Sequence, residues 1–232
     1  MTDQPEALRT QVLASPRLTV VDHPMVQHKL AILRDRETSS KQFRELVREI
    51  ALFEGYEATR DFPLREVSVE TPVATASCCA IEGKKVAVVP ILRAGLGMVE
   101  GILDLVPAAR VGHIGLFRDP ETHEPHTYYC KLPADVDQRT CLLVDPMLAT
   151  GGSAVAAIRY LREAGVKDVR LLCIIAAPEG VARILEADPD VQLYVAAVDE
   201  MCIRDRVNTA YEKTCRAATD SPLARNLSAS PS

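Results

Sequence analysis

The stretch CLLVDPMLATGGSAVAAIRYLREAG, residues 141–165, decides the fold. Four apolar residues, Cys141 to Val144, end in an acid, Asp145. A turn of small residues follows, and amphipathic periodicity then runs to Gly165. That order reads as strand, loop and helix. Asp145 therefore stands at the carboxyl end of a buried strand, the edge at which open α/β sheets hold their ligands. Gly151, Gly152 and Ser153 form the turn into the helix. Two adjacent glycines let the backbone approach an anion closely, Thr150 and Ser153 add hydroxyl donors, and the free amides and positive dipole end of the helix favour a phosphate. The loop thus offers one acid for hydroxyls and one cradle for phosphate.

Outward from this stretch, strands and helices alternate. Lys85 to Leu92 (KVAVVPIL) is a nearly continuous apolar run rich in β-branched residues, the mark of a strand covered on both faces. It delivers RAGLG at its carboxyl end. Gly95 to Leu105 reads as a helix with Met98, Gly101 and Ile102 on one side, and Arg110 to Phe117 as a returning strand. Beyond residue 165 come a strand over Val169 to Ala177, a helix over Pro178 to Ala187 with proline at its first position, and a strand over Gln192 to Val198. The alternation specifies an α/β fold with an open, parallel, twisted sheet flanked by helices. Two helices precede it. MVQHKLAILRD, after Pro24, repeats Val26, Leu30 and Leu33; a second helix, capped by Ser39 or Ser40 and running from Lys41 to Tyr56, sets Phe43, Leu46, Val47, Ile50 and Leu52 largely along one side. Leu64 to Ser77 alternates around Pro72, which predicts two short strands or a peripheral hairpin. Arg118 to Leu132 (RDPETHEPHTYYCKL) carries two prolines and mixed polarity and reads as a mobile loop or arm. Residues 1–15 read as a loose leader. Residues 201–232 have no sustained period and end in Ser and Pro, the pattern of a disordered tail.

Of the 232 residues, 47% are hydrophobic, which suits one domain with appendages. The net charge of -5 argues against a protein that grips a nucleic acid backbone. Seven cysteines include no CxxC pair, and Cys141 and Cys173 fall inside apolar strands. They read as reduced and mostly buried, in a cytoplasmic protein. The N-terminus is polar and no apolar run approaches the ~20 residues of a membrane span.

The loop from Asp145 to Ser153 is not a nucleotide P-loop, because GxxxxGK[ST] requires a lysine where Ser153 or Ala154 stands. Arg93 ends a covered strand at the same edge as Asp145, where a guanidinium suits a bidentate grip on diphosphate oxygens. GLGMVEG, residues 95–101, spaces its last glycine one residue too far for a dinucleotide fingerprint. Arg118 opens the arm. His123, Glu124 and His126 form HEPH rather than HExxH, so no metal ligand is assigned. Asp199 and Glu200 read as solvent-facing charges at a strand end. Asn226, Leu227 and Ser228 match a glycosylation acceptor only formally, since no secretion signal accompanies them.

Taken together, VVPILRAGLGM, LFRDPETHEP, LLVDPMLATGGSAVAAI and AAPEG (residues 176–180) resemble uracil phosphoribosyltransferase, over about residues 16–200. His23, Pro24 and QHKL at 27–30 agree. The resemblance implies the Rossmann-like phosphoribosyltransferase type I fold with N-terminal helices and a flexible β-arm. It implies a pentosyltransferase of pyrimidine salvage that joins uracil to 5-phosphoribosyl 1-diphosphate, giving UMP and diphosphate. Carried over, Asp145 holds ribose hydroxyls, and Pro146, Met147, Leu148, Ala149, Thr150, Gly151, Gly152 and Ser153 bind the 5-phosphate. Arg93 and Arg118 hold the leaving diphosphate, with Asp145 and Arg93 in the catalytic roles. Magnesium assists, without an assigned protein ligand. A homo-oligomer and a GTP effector are also implied. The alternative is a regulator on the same fold that senses phosphoribosyl diphosphate.

Two departures stand out. Asp145 is followed by Pro146 where many phosphoribosyltransferases carry a second acid; this matches the uracil branch and argues against a tight acid-held metal. After Glu200 the family continues into a GYIVPGLGDAGDR-like segment that recognises uracil, whereas this chain reads MCIRDRVNTAYEKTC. No residue here inherits the uracil-contacting role. The expected organisation is therefore a leader (1–15), a phosphoribosyltransferase domain (16–200) and an aberrant tail of foreign or frameshifted sequence (201–232).

Overall fold

The computed structural model describes residues 3–83, 86–118 and 125–199. In chain order the elements are α1 (Asp3–Leu13), β1 (Leu18–Val20), α2 (Pro24–Leu33), α3 (Ser40–Ala58), β2 (Leu64–Glu70), β3 (Thr75–Ile81), β4 (Val86–Leu92), α4 (Leu96–Leu105), β5 (Arg110–Val111), β6 (His113–Arg118), β7 (Pro125–Lys131), a 3₁₀ turn (Val136–Gln138), β8 (Thr140–Val144), β9 (Met147–Leu148), α5 (Gly152–Glu163), β10 (Val169–Ala176), α6 (Pro178–Ala187) and β11 (Gln192–Val198).

Among the described residues, nine strands form one sheet in the order β1-β11-β10-β8-β4-β6-β7, with β5 also on β4 and β9 also on β10. Its pairs are parallel except β6 with β7, which is antiparallel. Because successive strand residues point to opposite faces, each central strand feeds two cores. Ala87, Val89, Cys141, Leu143, Leu171 and Cys173 pack with α1, α5 and α6. Val86, Val88, Leu142, Val144, Leu172 and Ile174 pack with α2, α3 and α4. Burial on both faces explains why β4, β8 and β10 read as unbroken apolar runs rather than alternating ones.

The N-terminal helices follow their caps. His23 Nδ1 accepts from Met25 N at 3.2 Å, and α2 buries Val26, Leu30 and Leu33. Ser39 Oγ accepts from Gln42 N at 3.3 Å at the start of α3. The buried face of α3 runs through Leu46, Val47, Ile50, Ala51, Glu54 and Ala58, leaving Phe43 and Leu52 half-buried. Strands β2 and β3 pair only with each other, from Leu64↔Ile81 to Glu70↔Thr75, as the peripheral hairpin expected. At the amino edge of the sheet, the buried Arg170 guanidinium pairs with Asp61 and Asp168, donates to the Ala58 carbonyl at 2.6 Å and lies 5.3 Å from the Phe62 ring centroid.

Three expectations are corrected. The stretch expected as a loose leader forms α1: Val12 is buried in the core and Arg9 Nε donates to Val198 O at 3.4 Å, because Leu8 and Val12, four residues apart, dock beside α6. Part of the expected mobile arm is regular, since β7 pairs with β6, and Phe117 stacks on His126 at 5.6 Å. Of the described cysteines only Cys141 and Cys173 are buried, while Cys78, Cys79 and Cys130 are exposed. Lys85, His123, Glu124, Glu200, Cys202, Cys215 and the expected tail 201–232 lie outside the described residues.

Candidate active site

Strands β4 and β8 are neighbours, paired from Val86↔Thr140 to Pro90↔Val144, and the chain leaves them in opposite directions. From β4 it passes through α4 on one face to β5 and β6. From β8 it passes through α5 on the other face to β10, then through α6 to β11. Such a switch point opens a crevice at the carboxyl ends of the two strands. Asp145 leaves β8 there, half-buried; its amide donates to Leu172 O at 3.2 Å and its Oδ1 accepts from Met147 N at 3.4 Å. Arg93 leaves β4 beside it. The Leu92–Arg93 peptide is cis, and the turn is closed by Gly95 N donating to Ile91 O at 2.9 Å. Gly95 presses on the Val144 carbonyl so closely that a Cβ would collide with it, which holds the Arg93 turn against the end of β8. The Arg93 side chain is exposed and makes no ion pair with the described residues.

The rest of the loop is fastened to β10. Pro146 O accepts from Ile175 N at 3.2 Å, Met147 and Leu148 pair with Ile175 and Ala176 as β9, and Leu148 O accepts from Ala177 N at 2.7 Å. Ala149 and Thr150 then lead, half-buried, to Gly151, whose φ of 75° is left-handed. A Cβ there would also sit 3.0 Å from Gly180 O, so both conformation and space call for glycine. Gly152, Ser153 and Ala154 form the first turn of α5, where amides have no partner within the helix, and Gly151 offers no side chain to cap them. Free amides at a helix start of this kind favour an anion. Sequence reasoning missed Arg183 on α6, whose Nη1 donates to Thr150 O at 3.3 Å. Only the packing of α6 beside the loop reveals it.

Other candidates fall elsewhere. Arg118 ends β6, and its side chain is outside the described residues. Asp199, expected to face solvent, is half-buried and paired with Arg34 at the end of α2, because β11 finishes against that helix. Burial pushes the Cys141 and Cys173 thiols up, so they stay protonated and unreactive. A cleft of about 290 Å³, lined by Phe62, Glu82, Arg139, Lys167 and Asp168 among others, lies at the amino edge, opposite Asp145. Its Asp168 is held by Arg170 and by Thr140 Oγ1 at 2.8 Å. Among the described residues no three His, Cys, Asp or Glu side chains gather to hold a metal, and no helix is long and apolar enough to cross a membrane.

A doubly wound sheet with a glycine-rich loop at its switch point and an arginine beside it is an architecture that suits the phosphoribosyltransferase class. A sequence model described as uracil phosphoribosyltransferase matches residues 20–208, past residue 200 where the resemblance was expected to stop. The chain is 60% identical over 184 residues to the uracil phosphoribosyltransferase of Agathobacter rectalis, covering 79% of this chain and 88% of that one. It is 58% identical over 185 residues to that of Symbiobacterium thermophilum, covering 80% and 88%. Among solved structures, the AQ2163 protein from Aquifex aeolicus is similar at 37% identity with a TM-score of 0.74, covering 79% of this chain and 88% of that chain. The chain belongs to the uracil phosphoribosyltransferase family.

Proposed function

We propose that the protein transfers the 5-phosphoribosyl group of phosphoribosyl diphosphate to N1 of uracil. The C1–O bond to diphosphate breaks, a C1–N1 bond forms, the N1 proton is lost, and UMP and diphosphate leave. The observation that carries this reading is the loop from Asp145 to Ser153, set at the switch point beside Arg93. Breaking the anomeric bond builds positive charge on the sugar and negative charge on the departing diphosphate. Asp145 accepts from the ribose hydroxyls and faces the positive sugar. The amides of Gly152 to Ala154 and the hydroxyls of Thr150 and Ser153 take the 5-phosphate. Arg93, with Arg118 from the arm, meets the diphosphate. Closure of the arm excludes water, which competes with uracil as nucleophile.

Magnesium belongs to the proposal. With Asp145 as the single loop carboxylate and no three-residue cluster among the described residues, the donor set suits an ion carried mainly by substrate oxygens, as magnesium prefers. When bound it neutralises diphosphate charge.

Self-association fits the β2–β3 ribbon, which leaves Leu64, Val69 and Val73 exposed. A cytoplasmic setting suits the unpaired described cysteines. A GTP effector rests on the family resemblance alone, and the sensor alternative has no observation in its favour.

Because MCIRDRVNTAYEKTC replaces the GYIVPGLGDAGDR-like segment, the chain binds phosphoribosyl diphosphate but forms UMP poorly. Calorimetric titration with phosphoribosyl diphosphate, beside conversion of labelled uracil to UMP, tests both parts. Absence of binding overturns the first, and turnover at the rate of an intact relative overturns the second.

A further inference from the structure

We propose that Arg183 is the cationic wall of the 5-phosphate subsite and holds the Thr150 carbonyl out of it, an assignment that rests on the phosphoribosyl reading above. The guanidinium leaves α6 and crosses to the loop, where Nη1 donates to Thr150 O at 3.3 Å. An ideal Cβ at Gly152 would sit 3.6 Å from that Nη1, and one at Gly151 would sit 3.5 Å from Arg183 Cβ. Both are ordinary van der Waals distances, and they place the arginine directly against the loop and the first turn of α5. Since the Thr150–Gly151 peptide is planar, drawing its carbonyl toward Arg183 turns the Gly151 amide the opposite way, toward an anion in the cradle.

The charge arrangement points the same way. Glu179 and Glu186 lie four residues before and three residues after Arg183 on α6, at spacings that permit ion pairs. Arg183 nevertheless pairs with no carboxylate among the described residues and spends its hydrogen bond on the loop. An exposed cation held beside the positive end of α5 is mutually repelled by it until an anion sits between them. Bound phosphate converts that repulsion into two attractions.

The experiment titrates phosphoribosyl diphosphate, ribose 5-phosphate and inorganic diphosphate into the full-length protein and into Arg183→Gln and Arg183→Lys. Glutamine should weaken both sugar phosphates on the order of fivefold, the loss expected for one solvent-screened unit charge near 4 Å. It should leave inorganic diphosphate unchanged, flatten the salt dependence of sugar-phosphate binding and leave the melting temperature unchanged. Lysine, which keeps the charge, should recover most of the affinity. Unaltered ribose 5-phosphate affinity in Arg183→Gln overturns the assignment while leaving the phosphoribosyl reading intact. Failure of the parent protein to bind either sugar phosphate overturns both. If Arg183→Gln does not fold, Arg183→Lys decides: affinity kept within about twofold supports a charge role, and a fivefold loss refutes it.

Discussion

Replacing Glu54 by leucine should make the protein more stable and remove a pH dependence. Glu54 sits in α3 facing β10 and β11, fully buried, and neither carboxyl oxygen has a hydrogen-bond partner among the described residues. The Ala196 backbone approaches it too loosely to count as a hydrogen bond, and burial outweighs that contact, holding the carboxyl well above its ordinary value of 4.5. The ionisable side chain electrostatically linked to it is Cys173, which is not a cation. An unpaired buried polar group costs roughly 1–3 kcal/mol, so Glu54→Leu should gain about 2 kcal/mol near pH 4.5, which for a chain of this size raises Tm by roughly 4–8 °C, and more as the pH rises. The sign of the pH effect follows from proton binding. Above pH 4.5 the unfolded chain loses this proton while the folded one keeps it, so stability is complete below that value. It falls by up to about 1.4 kcal/mol per pH unit until the raised folded pKa is passed. Urea unfolding of the parent, Glu54→Leu and Glu54→Gln at a series of pH values from 4.5 upward isolates the effect, because the other carboxylates contribute equally to all three. Parent and Glu54→Leu curves that stay parallel across this range, or a leucine variant less stable than the parent at pH 7, would refute the reasoning.

Two further outcomes test the framework. Gly151→Ala should lose about 1–2 kcal/mol, from a left-handed residue with a side chain and from crowding against Gly180. It should also weaken ribose 5-phosphate binding on the order of tenfold by displacing the α5 amides; calorimetry showing parent-like affinity would count against the cradle. Arg170→Leu should destabilise by about 2 kcal/mol in urea, a figure set low for a buried pair because Asp61 and Asp168 are partly solvated. It should leave phosphoribosyl diphosphate binding untouched, since Arg170 lies at the opposite edge of the sheet, and lost binding would show that the two edges are coupled.

The central sheet was legible because its strands are buried on both faces, so apolar runs alone mark β4, β8, β10 and β11. Helices α2, α3 and α6 announced themselves by periodicity and caps. What stayed hidden depends on pairing between distant segments. Strand β1 has three residues and exists because Leu18 to Val20 align with Leu193 to Val195. Helix α1 has few apolar positions and acquires its burial beside α6. Strand β9 is two residues long and is a strand only because β10 extends past β8. At the site, the order of acid, threonine and paired glycines after an apolar run was readable in one line of sequence. Arg183 was not, because its reach to Thr150 depends on how two helices separated by a strand come to lie side by side. Glu54 escaped notice because the buried face of α3 is rotated from the stripe that Phe43 and Leu52 suggest.

The fastening of Met147 and Leu148 to β10 bears on which loops of this chain can change length. Between β8 and β9 only Asp145 and Pro146 intervene, and both flanking strands are in register with the same β10. Adding or deleting one residue there would shift Leu148 by one position on β10 and turn its side chain from the core to the opposite face. Among the described residues the β2–β3 hairpin pairs with no other strand, so a change of length at its turn shifts no register in the main sheet. Insertions should therefore accumulate in that ribbon, while the spacing from Asp145 to Gly151 stays constant for as long as the sheet exists.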